Sequence, residues 1–145
     1  MNVITDLKIL RQKSEEVSVK EGKKIIKDLE ETLKNCPTGI GLSAIQIGIL
    51  KKVGIIRIKE LRLNLINTKI LEKEDKFRMR TEACLSLPGL KIDTIRYNTV
   101  KINNNGKESV LRCSKDHQIY TKNRGYIAAK DLMSGDELMD FEQEY

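Results

Sequence analysis

Aromatic residues are scarce in this sequence: they make up 4% of its 145 residues, and tryptophan is absent. The core must therefore be built from aliphatic side chains, chiefly isoleucine and leucine. A chain of this length buries roughly 68–70% of the surface that its unfolded form exposes. One domain can therefore fold without a disulfide or a structural metal.

Cysteine and long apolar runs are also scarce. The three cysteines, Cys36, Cys84 and Cys113, are odd in number and show no CxxC spacing, which argues against a disulfide framework and for a reducing compartment. No window approaches the ~20 apolar residues of a membrane span, and the first residues lack the regions of a signal peptide. We therefore expect a cytoplasmic protein with no membrane partner.

The charges show no concentration of one sign. The chain has 27 basic and 21 acidic residues, a net charge of +6, and the excess is scattered along its length. A basic stripe with interleaved aromatics, the usual sign of a nucleic-acid partner, is not evident in the linear sequence. We expect no nucleic-acid binding, but a mild attraction to an anionic partner such as the ribosome surface near its exit region.

One amphipathic helix is expected early in the chain. Ser18 and Glu21 fit a capping box, in which the hydroxyl accepts a first-turn N–H and the carboxylate reaches back. Pro37 cannot continue a helix, so the helix ends before it. The apolar residues that share one face at helical spacing are Ile25, Ile26, Leu29 and Leu33.

After Gly39 the pattern changes to that of strands. We expect strands at 53–58, 61–70, 97–102, 109–112 and 118–121, a polar loop at 75–80, and a tight hairpin turn within Asn103-Asn104-Asn105-Gly106. The expected class is α+β, with one early amphipathic helix and several short antiparallel strands.

The first run with chemical content is Gly39-Ile40-Gly41-Leu42-Ser43-Ala44-Ile45-Gln46. Its glycines let the backbone approach a ligand closely, and the Gln46 amide can donate to a developing oxyanion. Taken alone, a glycine-rich turn before a strand explains the run equally well.

The second run is Thr81-Glu82-Ala83-Cys84-Leu85-Ser86-Leu87-Pro88-Gly89. A cysteine beside an acid, ahead of a Pro-Gly turn, can present its thiolate to a metal ion at a strand end. Taken alone, Cys84 is more often a small buried apolar residue than a ligand.

In this order, with Gln46 and Cys84 separated by 38 positions, the two runs resemble the motifs of the peptide deformylase family. The family motifs are Gly-x-Gly-Leu-Ala-Ala-x-Gln and Glu-Gly-Cys-Leu-Ser, so Ser43 stands for an alanine and Ala83 for a glycine. Ile9-Leu10-Arg11, Leu65-Ile66-Asn67 and Arg96 agree with the family as well. The resemblance covers residues 1–102.

The resemblance implies a metal-dependent amidase that removes formyl from the N-formylmethionine of nascent proteins, with Fe²⁺ or Zn²⁺ as cofactor. It implies Cys84 as the thiolate ligand, and the Gln46 amide and Leu85 backbone N–H as oxyanion donors. The substrate-binding positions that it implies are Gly41, Leu42, Glu82 and Arg96.

The third family motif, His-Glu-x-x-Asp-His on a C-terminal helix, has no counterpart here. It supplies two metal ligands and the general acid/base, whereas this chain has one histidine, His117, followed by Gln118-Ile119-Tyr120. Two imidazole ligands cannot come from one histidine. We therefore expect a deformylase-like fold without the motif-bearing helix, a doubtful metal site, and negligible hydrolysis by this chain alone.

Residues 103–145 form a β-rich tail that resembles the second conserved block of protein-splicing (intein or hedgehog-type) domains. Ser114 and His117 would fill its Thr-x-x-His signature, in which the histidine polarises a scissile amide. The sequence ends without the terminal asparagine of an intein. The alternative for His117 is a strand histidine without chemistry.

Three interpretations of the whole chain remain open. It is a deformylase-family enzyme with an altered end, the N-terminal part of a deformylase interrupted by a splicing element, or a non-catalytic module that binds formyl peptides. Without the motif-bearing helix, apolar surface should be exposed. We expect either a homodimer or a tail that folds back over that surface.

Overall fold

A computed structural model describes residues 1–58, 61–112, 118–121 and 125–128, the last two segments and Thr81 as backbone only. The helices are α1 (Leu7–Leu10) and α2 (Val19–Lys34), and a 3₁₀ turn spans Ala44–Ile47. The strands are β1 (Gly41–Ser43), β2 (Val53–Ile58), β3 (Leu61–Ile66), β4 (Lys69–Cys84), β5 (Leu87–Asn104), β6 (Lys107–Arg112), β7 (Gln118–Thr121) and β8 (Gly125–Ala128). The α+β class is confirmed. None of the described helices is long and apolar enough to cross a membrane.

Helix α2 begins and ends where the sequence predicts. The Ser18 hydroxyl accepts the Glu21 backbone N–H at 3.2 Å, which satisfies one free donor of the first turn. The helix ends at Lys34, ahead of Pro37. Its core face buries Gly22, Ile25, Ile26, Leu29, Thr32 and Leu33.

The first sheet has the antiparallel order β1-β2-β3 and carries α2 on one face. Strand β2 has the predicted bounds, and its residues Val53 and Ile55 are buried. The core around them is aliphatic, as the composition predicts, and consists of Val17, Ile25, Ile26, Leu29, Leu33, Leu42, Ala44, Ile47, Val53, Ile55 and Ile66.

An ion pair fastens α2 to this sheet. Arg57 Nη2 lies 2.5 Å from Glu30 Oε1, and the guanidinium also donates to the carbonyls of Ile56 and Leu63. The hydrogen bond from Arg57 lowers the pKa of Glu30, against the opposing effect of desolvation. The pair therefore stabilises the fold when Glu30 is ionised.

The second sheet has the order β4-β5-β6. Two sequence predictions, one within this sheet and one at the end of β3 just before it, are wrong. The expected polar loop at 75–80 is wrong, because these residues lie within β4, paired with β5 through Lys76↔Tyr97 and Phe77↔Arg96. Most of this hairpin is exposed, so its strands can carry the polar side chains that are also typical of a loop. The strand expected at 61–70 ends at Ile66, because Asn67 adopts φ 52° and turns the chain.

Two short turns set the register of the second sheet. Asn105 and Gly106 have positive φ, and Ile102 pairs with Ser109, so the predicted hairpin turn is confirmed. The turn expected at Pro88-Gly89 is wrong. Cys84 pairs directly with Leu87, which leaves Leu85-Ser86 as the turn and puts Pro88-Gly89 inside β5.

The tail is described only in part. Strand β7 has the predicted bounds and pairs with β8. The interpretations of Cys113, Ser114 and His117, and the expected absence of a motif-bearing C-terminal helix, fall on positions outside the described residues.

Replacing Glu30 with glutamine should lower the free energy of unfolding at pH 7 by about 1 kcal/mol, because Arg57 loses its charged partner. A glutamate whose folded pKa is depressed stabilises above its unfolded pKa, about 4.3, and this contribution disappears as the pH falls through the folded value. The difference between E30Q and wild type in urea unfolding should therefore shrink as the pH falls below about 4.3.

Glu31→Gln is the matched control, because Glu31 is exposed on the same helix. It should change stability by less than about 0.5 kcal/mol. A deficit in E30Q that stays constant from pH 7 to pH 3 would show that packing, rather than the charge, accounts for the loss.

Candidate functional site

The two motif-bearing runs meet in one cleft of about 460 Å³. The first wall is the segment before and along β1 together with the 3₁₀ turn, and the second is the β4–β5 turn. The lining residues are Thr38, Gly39, Ile40, Gly41, Gln46, Ala83, Cys84, Leu85, Leu87, Pro88 and Gly89. Four predicted site residues, Gly41, Gln46, Cys84 and Leu85, therefore share one cleft.

The side-chain amide of Gln46 is held at both ends. Its Oε1 accepts the backbone N–H and the hydroxyl of Ser43, each at 3.0 Å. Its Nε2 donates to Ser86 Oγ at 3.2 Å and to Cys84 Sγ at 3.7 Å. Because a backbone N–H can only donate, Oε1 must face Ser43 and the N–H groups must face the sulfur. A fixed amide donor of this kind can stabilise a developing oxyanion.

Cys84 is the last residue of β4, and it is exposed with a free thiol. The alternative of a small buried apolar residue does not describe it. Ser86, two positions on, is only 2% exposed and closes the turn beneath the Gln46 amide. The sulfur therefore sits at the cleft surface with one amide donor beside it.

Gly41 lets β1 approach β2 closely. A Cβ built there would lie 2.8 Å from the Ile55 carbonyl oxygen, a backbone atom that cannot move aside. Gly39 makes room for side chains instead, because its Cβ would lie 3.0 Å from Leu85 Cδ1 and 2.7 Å from Leu33 Cδ1. The backbone of β2 therefore requires a glycine at Gly41, and the packing of Leu33 and Leu85 favours one at Gly39.

Glu82 and Arg96 lie beside the cleft rather than in it. Arg96 Nη2 is 2.8 Å from Glu82 Oε1, and Thr94 also donates to this carboxylate. The hydrogen bond from Arg96 lowers the pKa of Glu82, and desolvation opposes it. Both residues line an adjoining pocket of about 110 Å³ that shares Ala83, Cys84 and Leu87 with the cleft.

Leu42 does not reach the cleft. Its side chain is 3% exposed and belongs to the aliphatic core beneath β1. In an alternating strand, successive side chains point to opposite faces. Leu42 therefore supports the cleft from below, while the backbone at Gly41 lines it.

The sequence analysis missed the structural role of Ser43, which it treated only as a departure from the family motif. The signal was available, because Ser43-x-x-Gln46 has the spacing of a capping box. Ser86 was part of the second motif but received no role. Its contact with Gln46 depends on the β4–β5 turn, which the sequence placed at Pro88-Gly89.

The described residues do not fit a metal ion. Within residues 1–58 and 61–112, no group of three His, Cys, Asp or Glu side chains is placed to hold one. The polar contact of Cys84 Sγ is with the amide of Gln46, which is not one of the thiolate, imidazole and carboxylate ligands of a tight site. His117 lies outside the described residues.

Comparison with known proteins identifies the class. The family model for polypeptide deformylase matches residues 2–117. Among curated proteins, the peptide deformylase of Aquifex aeolicus is 40% identical over 109 residues, which cover 70% of this chain and 63% of the relative. Peptide deformylase 2 of Clostridium acetobutylicum is 35% identical over 113 residues, covering 74% of this chain and 75% of the relative.

Solved structures agree. The peptide deformylase from Thermotoga maritima has a TM-score of 0.67 at 25% identity, over 77% of this chain and 80% of that one. The peptide deformylase from Synechococcus elongatus, in complex with actinonin, has a TM-score of 0.65 at 31% identity, over 77% of this chain and 64% of that one. The fold is the α+β fold of these solved peptide deformylases. The chain belongs to the peptide deformylase family. It spans about 63% of the length of the Aquifex aeolicus relative.

Replacing Gly41 with alanine should lower the free energy of unfolding by about 1–3 kcal/mol, because the new methyl group collides with the Ile55 carbonyl. Gly54→Ala is the matched control in the same β1–β2 ladder. Its Cβ would meet its nearest atom, the Leu42 carbonyl oxygen, at an ordinary 3.5 Å. Urea unfolding of both variants measures the difference. Equal losses would show that any side chain in this ladder is harmful, and that close approach at Gly41 is not the cause.

Proposed function

We propose that this chain forms the formyl-peptide cleft of a peptide deformylase, acting on the N-formylmethionine end of nascent proteins. The observation that carries the proposal is the placement of Gln46 Nε2 3.7 Å from Cys84 Sγ inside one cleft. In this role the Gln46 amide and the Leu85 backbone N–H donate to the formyl oxygen. Gly41 lines the path of the peptide, and the Glu82–Arg96 pair holds the neighbouring pocket open.

We further propose that this chain alone hydrolyses formyl peptides negligibly. In the family, Fe²⁺ or Zn²⁺ would be held by Cys84 and two histidines, and such an ion lowers the pKa of its bound water to about 7. This chain has one histidine, and the described residues hold no three-ligand group. A general-base carboxylate, typically worth about 10²–10⁴-fold, has no assigned residue here either.

The remaining chemistry of the cleft is recognition. A formyl oxygen accepts hydrogen bonds, and it can take the Gln46 N–H that meets the Cys84 sulfur at a long 3.7 Å, while Ser43 and Ser86 keep the amide in place. An amine without the formyl group offers no such acceptor and carries a positive charge. The cleft should therefore prefer the formylated peptide.

Calorimetric titration with formyl-Met-Ala-Ser and with Met-Ala-Ser tests this preference. We expect the formylated peptide to bind at least about tenfold more tightly, which corresponds to one well-placed hydrogen bond to a preorganised donor. Gln46→Ala should abolish the preference. Gln12→Ala, a glutamine exposed outside the cleft, should leave it unchanged.

Two further measurements separate the proposed cleft from the proposed lack of hydrolysis. Inductively coupled plasma analysis should find less than one metal ion per chain, and a coupled assay should detect no formate. One bound metal ion together with formate release would overturn the lack of hydrolysis. Equal affinity for the two peptides would overturn the cleft assignment.

A non-catalytic formyl-peptide binding module is the second candidate. It is favoured by a cleft that keeps its amide donor beside the Cys84 thiol, although the described residues form no group of three metal ligands. Binding of formyl-Met-Ala-Ser by the purified chain, with no turnover even after Fe²⁺ or Zn²⁺ is added, supports this candidate over an enzyme that has merely lost its metal.

The interrupted deformylase remains the third candidate. It assigns residues 103–145 to a splicing-type segment, with Ser114 and His117 as its chemical residues, and places the missing ligands in downstream sequence. Sequencing of the native transcript decides it. A His-Glu-x-x-Asp-His segment in the downstream frame supports the candidate, and a stop directly after Tyr145 removes it.

The second sheet leaves apolar side chains open to solvent, among them Ile70, Leu90, Ile92, Ile95 and Val110 at 47–60% exposure. We propose that a cytoplasmic homodimer, or the chain's own tail, covers this surface. Sedimentation velocity should report a dimer at micromolar concentration if a second copy does so. A compact monomer that binds no ANS would leave only the tail.

A further inference from the structure

Strand β6 is an outer strand of the second sheet, and the turn before it fixes which of its backbone groups face outward. Asn105 and Gly106 form a two-residue turn with φ of 50° and 89°, so the flanking residues Asn104 and Lys107 exchange hydrogen bonds with each other. In an antiparallel ladder such pairs alternate with pairs that are not bonded. The backbone N–H and C=O groups that point away from β5 are therefore those of Glu108, Val110 and Arg112.

The outer side of β6, called here the β6 edge and formed by residues 107–112, is regular and open. Its pairing with β5 runs without a register shift, and no strand among the described residues pairs with its outer side. The outer side of β4 is interrupted by three register shifts, which blunt an edge against further pairing. The outer side of β3 is partly occupied, because the Asn104 side chain bonds the Ile66 N–H and the Asn64 carbonyl. The β6 edge is thus the outer strand best prepared to pair.

A second copy of the β6 edge fits against the first in one register. When two such strands run antiparallel with Val110 opposite Val110 of the second copy, Glu108 faces Arg112 on both sides of the two-fold axis. This register engages all of the outward backbone groups of both strands. A shift by two residues in either direction leaves Glu108 or Arg112 unpaired and sets the other charge against Val110, so the charges specify the pairing.

The side chains that meet in this register are complementary. Glu108, Val110 and Arg112 point to one face of the sheet, because side chains alternate along a strand. Val110 is 51% exposed, so contact with its counterpart would bury apolar surface. Arg112 is exposed and has no ion-pair partner among the residues that the structure describes. Glu108 gives Oε2 to Lys101 at 3.2 Å, which leaves Oε1 to accept from Arg112 of the second copy.

We infer that two copies of this chain pair through the β6 edge and join their second sheets into one continuous sheet. Of the two covers proposed above for the second sheet, this inference selects a second copy and places it at a defined strand. Charged residues commonly keep strand edges apart, but here self-pairing sets each charge opposite its complement, which stabilises cross-strand contacts. A two-fold contact of this kind closes on itself and does not grow into a fibre.

Sedimentation velocity with two single variants of the full chain tests the register. In Arg112→Glu, glutamates face each other on both sides of the axis, and in Glu108→Arg, arginines do. Each variant should dimerise at least about tenfold more weakly than wild type, because like charges directly opposite each other repel. In an equimolar mixture every charge again meets its complement. The mixture should therefore dimerise at least about tenfold more tightly than either variant alone.

Lys91→Glu is the matched control. Lys91 is an exposed residue of β5 that pairs with Ala83 of β4, and the substitution makes the same change from cation to anion. It should leave the dissociation constant of the dimer within about threefold of the wild-type value, since a distant exposed charge is screened. A monomeric wild type at micromolar concentration, equal weakening by Lys91→Glu, or a mixture as monomeric as its two components would each overturn the inference.

Amide hydrogen exchange identifies what covers the β6 edge. Pairing with a second copy should slow exchange at Glu108, Val110 and Arg112 as the concentration rises, whereas β5 protects Ser109 and Leu111 at any concentration. Protection of the outward amides that does not change on dilution would show that the chain's own tail covers the edge, and the inference would be wrong. Titration of Arg112→Glu with formyl-Met-Ala-Ser should match wild type, so failure of the edge contact and failure of the cleft are distinguishable.

Discussion

The amide of Gln46 is clamped between Ser43 and Ser86, and the geometry of the cleft depends on that clamp. Two donors on Ser43 fix Oε1, and in the described part of the chain Nε2 then donates to Ser86 Oγ and, at a longer distance, to Cys84 Sγ. A glutamine at the surface would spread over several rotamers. Here the capping-box spacing of the 3₁₀ turn removes that freedom before any ligand arrives, and this is the sense in which such a donor is preorganised.

The clamp joins parts of the chain that are far apart in sequence. Ser43 ends β1 and Gln46 lies in the 3₁₀ turn that follows, and β1 pairs closely with β2 because Gly41 lacks a Cβ. Cys84 and Ser86 come from the β4–β5 turn, 38 and 40 positions beyond Gln46. Asn104 ties the two sheets together, since its side chain bonds the Ile66 N–H and the Asn64 carbonyl. The cleft is thus held by the aliphatic core on one side and by inter-sheet hydrogen bonds on the other.

Local signals in the sequence were reliable where a few neighbouring residues decide the structure. Ser18 fixed the start of α2, and the apolar run at 53–58 gave β2 its bounds. Residues 75–80 of the long hairpin were predicted as a loop, because a strand that is exposed on both faces carries the same charged residues as a loop. The site residues followed from the family motifs, but the contacts of Ser43 and Ser86 require the turn at Leu85-Ser86, which depends on the pairing of Cys84 with Leu87.

In the proposed function, binding in the cleft and the metal chemistry of the family depend on different groups. Every contact that orients Gln46 is made by residues between 43 and 86 and is supported by the core, so recognition of an acceptor oxygen needs no ion. Hydrolysis is more demanding, because a water nucleophile at neutral pH needs several ligands converging on one cation. Among the described residues, no group of three possible ligands converges in this way. In the proposed function, the cleft keeps the shape and donors that bind a formyl group, while the step that cleaves it depends on groups that the described residues do not supply.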